Sequence, residues 1–313
     1  MWRMFTYYPI WDISYEVAFV FTIGSVIWVM NALFVYLPLV QPSTEFDTEE
    51  LYGGGTTALI GTTVFEIGSL LLIAEAVNEG RSGCFGWVVE QAISHQEEVG
   101  GMMIRPSKSH CIYAHTKQYG DRTRYTDASK HEQRAQQHSW IWWPTNEELQ
   151  THYIHNFSFL ASLSQLLGAS IFWVAGLTAL PGTYNRMSKP ITVIFYWTRQ
   201  VVGGLGFIIS GCLFMLETQS KWWKPAPRTL GWWIGAWDLV GGIGFTMCPA
   251  FGYDSSSWTQ YQAALSTFWG SWVFLIGSAL QWYESLEKFP VEADRCLNAG
   301  SEVVHVHTRK EQS

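Results

Sequence analysis

Six long apolar stretches divide this chain, and its polar and charged residues gather between them. The stretches cover residues 16–40, 56–77, 153–177, 191–216, 229–251 and 260–283. Each is as long as a helix that crosses a bilayer, which takes about 20 residues for roughly 30 Å of hydrocarbon. The pattern therefore predicts an all-α polytopic bundle of about six transmembrane helices, forming one membrane domain over residues 1–313. The first stretch is too long for a cleaved signal sequence. It follows Asp12 and Glu16 instead of a basic segment, and no small-residue cleavage site succeeds it. Residues 78–150 form one long polar loop, of which residues 78–138 have mixed charge and little periodicity, the composition of a partly disordered segment. Near its end, Thr145 and Glu148 stand in capping-box register just after Pro144, which predicts a short interfacial helix leading into the third span.

Composition adds three constraints. Charged residues make up 14% of the chain, against about 25% in a soluble domain, so the near-neutral mean hydropathy of +0.05 reflects dilution by the loop. A net charge of −7, with no basic stripe interleaved with aromatics, excludes nucleic acid as a partner. The five cysteines, at 84, 111, 212, 248 and 296, show no CxxC pairing, so neither a disulfide framework nor a zinc site is expected.

The distribution of basic residues predicts orientation. Sixteen Lys and Arg fall in the N-terminal segment, the 78–150 loop, the loop after the fourth span and the C-terminal tail. Only Arg186 and Lys189 lie in the opposite loops. The positive-inside rule places both termini in the cytoplasm. Trp and Tyr collect at span ends, as at Trp222–Trp223 and Trp282–Tyr283, where an interfacial belt explains them.

Candidate chemistry rests on ionisable residues at depth, where a charge is costly and tends to face a bundle interior. Glu66 stands midway through the second span, Arg199 in the fourth and Asp238 in the fifth. Arg199 and Asp238 each precede a glycine motif, Val202-Gly-Gly-Leu-Gly-Phe207 and Val240-Gly-Gly-Ile-Gly-Phe245. Antiparallel packing of those glycine faces would let the two charges pair. A structural ion pair is the plain reading. The functional one is an acid in a dry pocket, because exclusion of water disfavours the charged form of a carboxyl and lets it keep a proton for delivery. Glu66 leads that reading, with Asp238 second; Glu75, near a span end, is expected to reach the interface. Trp173, Trp197, Trp237, Trp269 and Trp272 lie at depth, where aromatic faces could stabilise a developing cation, although bulk packing explains any one of them. His152 and His155 share a helix face, but without a Glu-x-x-His partner they suit interfacial hydrogen bonding better than a metal.

A longer set of residues resembles a known group. Trp142-Trp-Pro-Thr, His152-Tyr, His155, Phe159-Leu-Ala, Gln165, Gly168-Ala and Phe172-Trp carry the strongest part. Gln200-Val-Val-Gly-Gly, Phe214-Met-Leu-Glu-Thr-Gln, Leu265-Ser-Thr-Phe-Trp-Gly-Ser-Trp and Gln281-Trp-Tyr-Glu-Ser-Leu continue it. Over roughly residues 140–287 the chain resembles fungal integral membrane terpene cyclases of meroterpenoid pathways, the ascofuranone and macrophorin cyclase type. The resemblance implies proton-initiated cyclisation of a farnesyl chain, epoxidised or not, on a phenolic or quinone head. It implies a lipophilic prenylated substrate, no cofactor, no metal, and residence in the endoplasmic reticulum or a related endomembrane. The absence of an aspartate-rich diphosphate motif agrees with a diphosphate-independent reaction. A proton-coupled transporter or channel would use the same intramembrane charges, and a scaffold would use the long loop.

Overall fold

The computed structural model describes residues 4, 6, 8–46, 49–79, 85 and 140–287. Most of the expected 78–150 loop, the basic residues of that loop and of both tails, and Cys84, Cys111 and Cys296 lie outside the described residues. Among the described residues the secondary structure is helical, with no strand. Six helices are long and apolar enough to span a membrane.

The spanning helices are α1 (Ile13–Val40), α2 (Gly55–Val77), α3 (Phe157–Thr178), α4 (Arg199–Glu217), α5 (Leu230–Phe251) and α6 (Ser257–Glu287). Six-residue π-helical segments, Glu49–Gly54 and Val193–Thr198, lead into α2 and α4. The start signals are local. The Asp12 side chain accepts a hydrogen bond from Ser14 N at 2.9 Å and caps α1, and the Asn156 side chain accepts from Ser158 N and caps α3. The short interfacial helix forms at Asn146–Thr151, with both halves of the Thr145–Glu148 capping box in place.

Each spanning helix packs on the next in sequence, and α6 returns against α1, so the six close into a ring. Glycines set the spacing on several seams. A Cβ on Gly168 of α3 would stand 2.7 Å from the Gly203 carbonyl oxygen of α4, and one on Gly211 of α4 would stand 2.5 Å from Leu239 N of α5. The two glycine motifs therefore serve helix packing, as expected, but each serves two neighbours. Gly242 faces α4, whereas Gly241 and Gly244 face α6. Gly203 and Gly206 face α3.

The ring is filled at its centre by aromatic rings, at least one from every helix: Phe21 and Trp28 (α1), Phe65 (α2), Phe172 (α3), Phe207 (α4), Phe245 (α5) and Phe274 (α6). Most meet edge to face, for example Trp28 on Phe245 at 4.7 Å and Phe65 on Phe274 at 5.7 Å between centroids. That geometry sets the positive ring edge against the negative ring face. The seam lined by Trp28, Thr62 and the neighbouring phenylalanines leaves no volume for a water molecule.

Candidate functional site: an acidic cavity above an aromatic floor

On the side of the aromatic plug that carries the N-terminal end of α1 and the C-terminal end of α6, the ring encloses a cavity of about 480 Å³. All six helices line it, each with residues at helical spacing. On α3 the lining stripe runs Ser158, Ser162, Gln165 and continues into the plug at Ala169 and Phe172. On α6 it runs Glu284, Gln281, Ser278, Phe274. Both stripes are polar at the mouth and apolar at the floor. Phe21, Phe65 and Phe274 form that floor and belong to the plug, so the cavity is blind.

Among the described residues, five carboxyls stand in the wall, Glu75, Glu79, Glu217, Glu284 and Asp238, and no Lys, Arg or His. Four of them occupy the ends of α2, α4 and α6 near the mouth. Ser14 donates a hydrogen bond to Glu75 across the α1–α2 seam. Glu217 lies beside Ser158, within electrostatic reach of Glu75 and Glu79. Asp238 is the deeper one, two turns into α5, where its Oδ1 faces Gly277 of α6. Any side chain at Gly277 would crowd it: a Cβ there would meet Oδ1 at 3.1 Å. Among the described residues no three His, Cys, Asp or Glu are grouped as metal ligands.

The residues singled out from sequence separate in space. Asp238 lines the cavity. Glu66 does not: it lies on the α2–α3 seam, its Oε1 accepting from Ser170 Oγ at 2.8 Å, its Oε2 buried without a partner. The expected Arg199–Asp238 pair does not form. Gly211 opposes Leu239 and Gly235 opposes Met215, so Asp238 is level with Cys212, whereas Arg199 is level with Phe251. Thirteen residues at 1.5 Å rise separate the two by roughly 20 Å. Both glycine motifs sit about midway along their membrane spans, Lys189–Glu217 and Leu230–Phe251, but in antiparallel spans a charge preceding each lies on opposite sides of the midplane. Arg199 instead lies over the Phe195 ring at 4.8 Å.

The five nominated tryptophans lie outside the cavity wall. Trp173 donates to Thr63 Oγ1 at 3.0 Å, beside Glu66 on the α2–α3 seam. Trp197 covers Gly252, Trp237 packs by Gly277, and Trp269 packs by Gly244. Trp272 is exposed at the outer surface. The aromatic faces available to the cavity are phenylalanines, Phe21, Phe65, Phe214 and Phe274. Apolar periodicity marks them as core residues, but nothing in the sequence distinguishes a ring that floors a cavity from one that fills a seam. His152 packs edge-on against Tyr153, whose hydroxyl donates to the Val77 carbonyl at 3.0 Å, so this pair anchors the start of α3.

Comparisons with protein-family models, curated proteins and solved structures return no match for this chain.

Proposed function

We propose that the chain is a membrane-bound terpene cyclase that protonates the prenyl chain of a phenolic or quinone meroterpenoid precursor, with Asp238 as the acid. The carrying observation is Asp238 itself: a carboxyl at depth in a blind cavity, above a floor of phenylalanine rings. The cavity volume falls within the roughly 300–1,000 Å³ typical of small-molecule sites.

The chemistry balances without a redox partner. The Asp238 O–H bond breaks as a C–H bond forms at the distal alkene, or as an O–H bond forms on an epoxide oxygen whose C–O bond opens. The electron pair of an internal alkene then closes a C–C ring bond, and the cation moves inward. A neighbouring carbon loses a proton to a carboxylate of the wall, and the alkene reforms. Substrate and product are isomers, and one further proton transfer restores Asp238. The phenylalanine faces stabilise the cation by their quadrupole, and the apolar rings of the floor offer it no nucleophile. Sixteen basic residues against two argue that the mouth opens to the cytoplasm of an endomembrane.

Product analysis of microsomes fed farnesyl and epoxyfarnesyl phenols tests the reading. Wild type should yield a cyclic isomer of equal mass, and Asp238→Asn should lower conversion by about 10²-fold or more, the range for loss of a general acid. Glu66→Gln should retain most of it, since Ser170 can still donate to the amide oxygen. Full activity in Asp238→Asn would overturn the assignment, and no turnover by wild type would overturn the cyclase reading.

A proton-coupled transporter is the second reading, favoured by one observation: the acidic mouth above a closed floor has the form of a carrier open to one side. Proton uptake into proteoliposomes driven by an added solute, with no isomer formed, would select it.

A further inference from the structure

Buried polar side chains in the cavity wall nearly all have partners within the protein. Ser25 donates to the Phe21 carbonyl at 2.8 Å, Ser162 to the Ser158 carbonyl at 2.8 Å, and Ser278 to the Leu275 carbonyl at 3.2 Å. Asn78 bonds Ala74 and Ile141, and Ser14 bonds Glu75. Gln165 is the exception among the described residues. It is 8% exposed, it lines the cavity, and its carboxamide makes no hydrogen bond. An amide offers two donor hydrogens and an acceptor oxygen, and here they open into the cavity instead of being sealed in the wall. Gln165 is also the last polar group on the α3 stripe before Ala169 and Phe172, so its amide reaches the deepest part of the cavity that any α3 side chain makes polar. A Met or Leu at 165 would fill about the same volume but present nothing polar to the cavity. The amide is thus free to hydrogen-bond whatever enters the cavity.

We infer that Gln165 is a positioning residue that hydrogen-bonds a neutral oxygen on the substrate, a hydroxyl, carbonyl or epoxide, and so sets which part of the chain lies against Asp238. The amide is uncharged and can both donate and accept, so it fits a neutral oxygen of any of these kinds. Among the described residues the wall contains carboxyls and no cation, a poor match for an anionic group. Oxygen recognition of this kind discriminates strongly, because an analogue lacking the oxygen leaves the buried amide unpaired, whereas a difference of one methylene is tolerated.

This inference rests on the cyclase reading, and the test separates the two. Microsomes carrying wild type, Gln165→Met and Gln165→Asn are compared on an epoxyfarnesyl phenol and on the same phenol with a plain farnesyl chain. Gln165→Met keeps the volume and removes both hydrogen-bonding functions. It should lower kcat/KM for the oxygenated substrate by about 10- to 100-fold, the range for one buried hydrogen bond. Its preference for the oxygenated over the plain chain should collapse, with more open-chain or misplaced-ring product. Gln165→Asn, which keeps the amide one methylene shorter, should restore part of that preference. A merely structural role would lower both substrates equally and leave the preference intact, which overturns the inference. So does a Gln165→Met enzyme indistinguishable from wild type. Turnover of neither substrate by wild type overturns the cyclase reading instead. Expression and detergent-solution elution of each variant are read alongside, and if Gln165→Met fails to fold, the wild-type:Gln165→Asn comparison of substrate preference decides.

Discussion

At the scale of single residues, space decides which changes the bundle tolerates. Gly168 stands where α3 and α4 touch backbone to backbone, and a Cβ there meets the Gly203 carbonyl oxygen at 2.7 Å and Gly206 Cα at 3.1 Å. Backbone cannot swing aside as a flexible side chain can, so the helices must part. Gly168→Ala is expected to destabilise the protein by about 1–3 kcal/mol, the usual cost of overpacking. Gly182, in the turn after α3, has nothing within 4 Å of its would-be Cβ. Gly182→Ala should stay within about 0.5 kcal/mol of wild type. Thermal unfolding of both variants in the same detergent makes the comparison, and equal shifts would mean the α3–α4 seam is not packed this way. The glycine motifs were visible in the sequence as packing faces, but which neighbour each glycine meets was not. One face of a helix spans about a third of its circumference, and adjacent glycines in Val202-Gly-Gly-Leu-Gly-Phe207 point to different partners.

At the scale of elements, Asn78 shows how a span end is fixed. It follows α2, is 1% exposed, and bonds in three directions. Its amide nitrogen donates to the Ala74 carbonyl at 2.9 Å and the Ile141 carbonyl at 2.7 Å, and its side-chain oxygen accepts from Ile141 N at 2.9 Å. It thus caps α2 and ties the segment before α3 to it across 63 residues of sequence. Asn78→Ala should cost about 2–4 kcal/mol, since it leaves the Ile141 amide and carbonyl without these partners. Asn78→Asp, which keeps only the acceptor, should be intermediate near neutral pH. A thermal scan of the three proteins checks the order; an Asp variant worse than Ala would indicate that the added charge beside Glu75 and Glu79 outweighs the retained bond. The spans themselves were legible to within a few residues, because twenty apolar residues have few other uses. The capping box at Thr145 was legible as well, since its residues are local. Asn78 was not, because its partner Ile141 lies beyond a long loop, and distant pairing leaves no mark in one sequence. The Arg199–Asp238 pair failed for a related reason: two matching motifs suggested a shared depth, and only the register of α4 on α5 shows the charges on opposite sides of the midplane.

At the scale of the molecule, the ring of six helices, the aromatic plug and the acidic wall make one electrostatic object. Among the described residues, five carboxyls and no cation line a cavity bounded by apolar helices, and low-dielectric walls focus the field of such a set toward the mouth. That field, with the blind floor, predicts both the side and the charge preference of small reagents. The test begins from a background in which the native cysteines, including Cys212 and Cys248 of the described residues, are replaced by serine or alanine. Single cysteines are then placed at Thr218 in the mouth, at Ser278 deeper in the wall, and at Ser255 on the opposite side of the bundle. In sealed microsomes with the cytoplasmic face outward, Thr218→Cys should react with membrane-impermeant methanethiosulfonates, and Ser255→Cys should not until the vesicles are opened. The reverse pattern would invert the proposed orientation, and labelling of Ser278→Cys from the Ser255 side would mean that the plug is not closed. The cationic ethylammonium reagent should modify Thr218→Cys on the order of tenfold faster than the anionic ethylsulfonate one, after correction for their reactivity with a free thiol. Raising the salt from about 0.01 to 0.15 M shortens the Debye length from about 30 to 8 Å and should shrink that ratio. Neutralising the rim by Glu217→Gln with Glu284→Gln should shrink it further, while Glu66→Gln, on the α2–α3 seam and outside the wall, should leave it where it was. Equal rates for the two reagents in the unmodified rim would mean that the carboxyls there are neutral or paired, and the acidic character of the mouth would have to be abandoned.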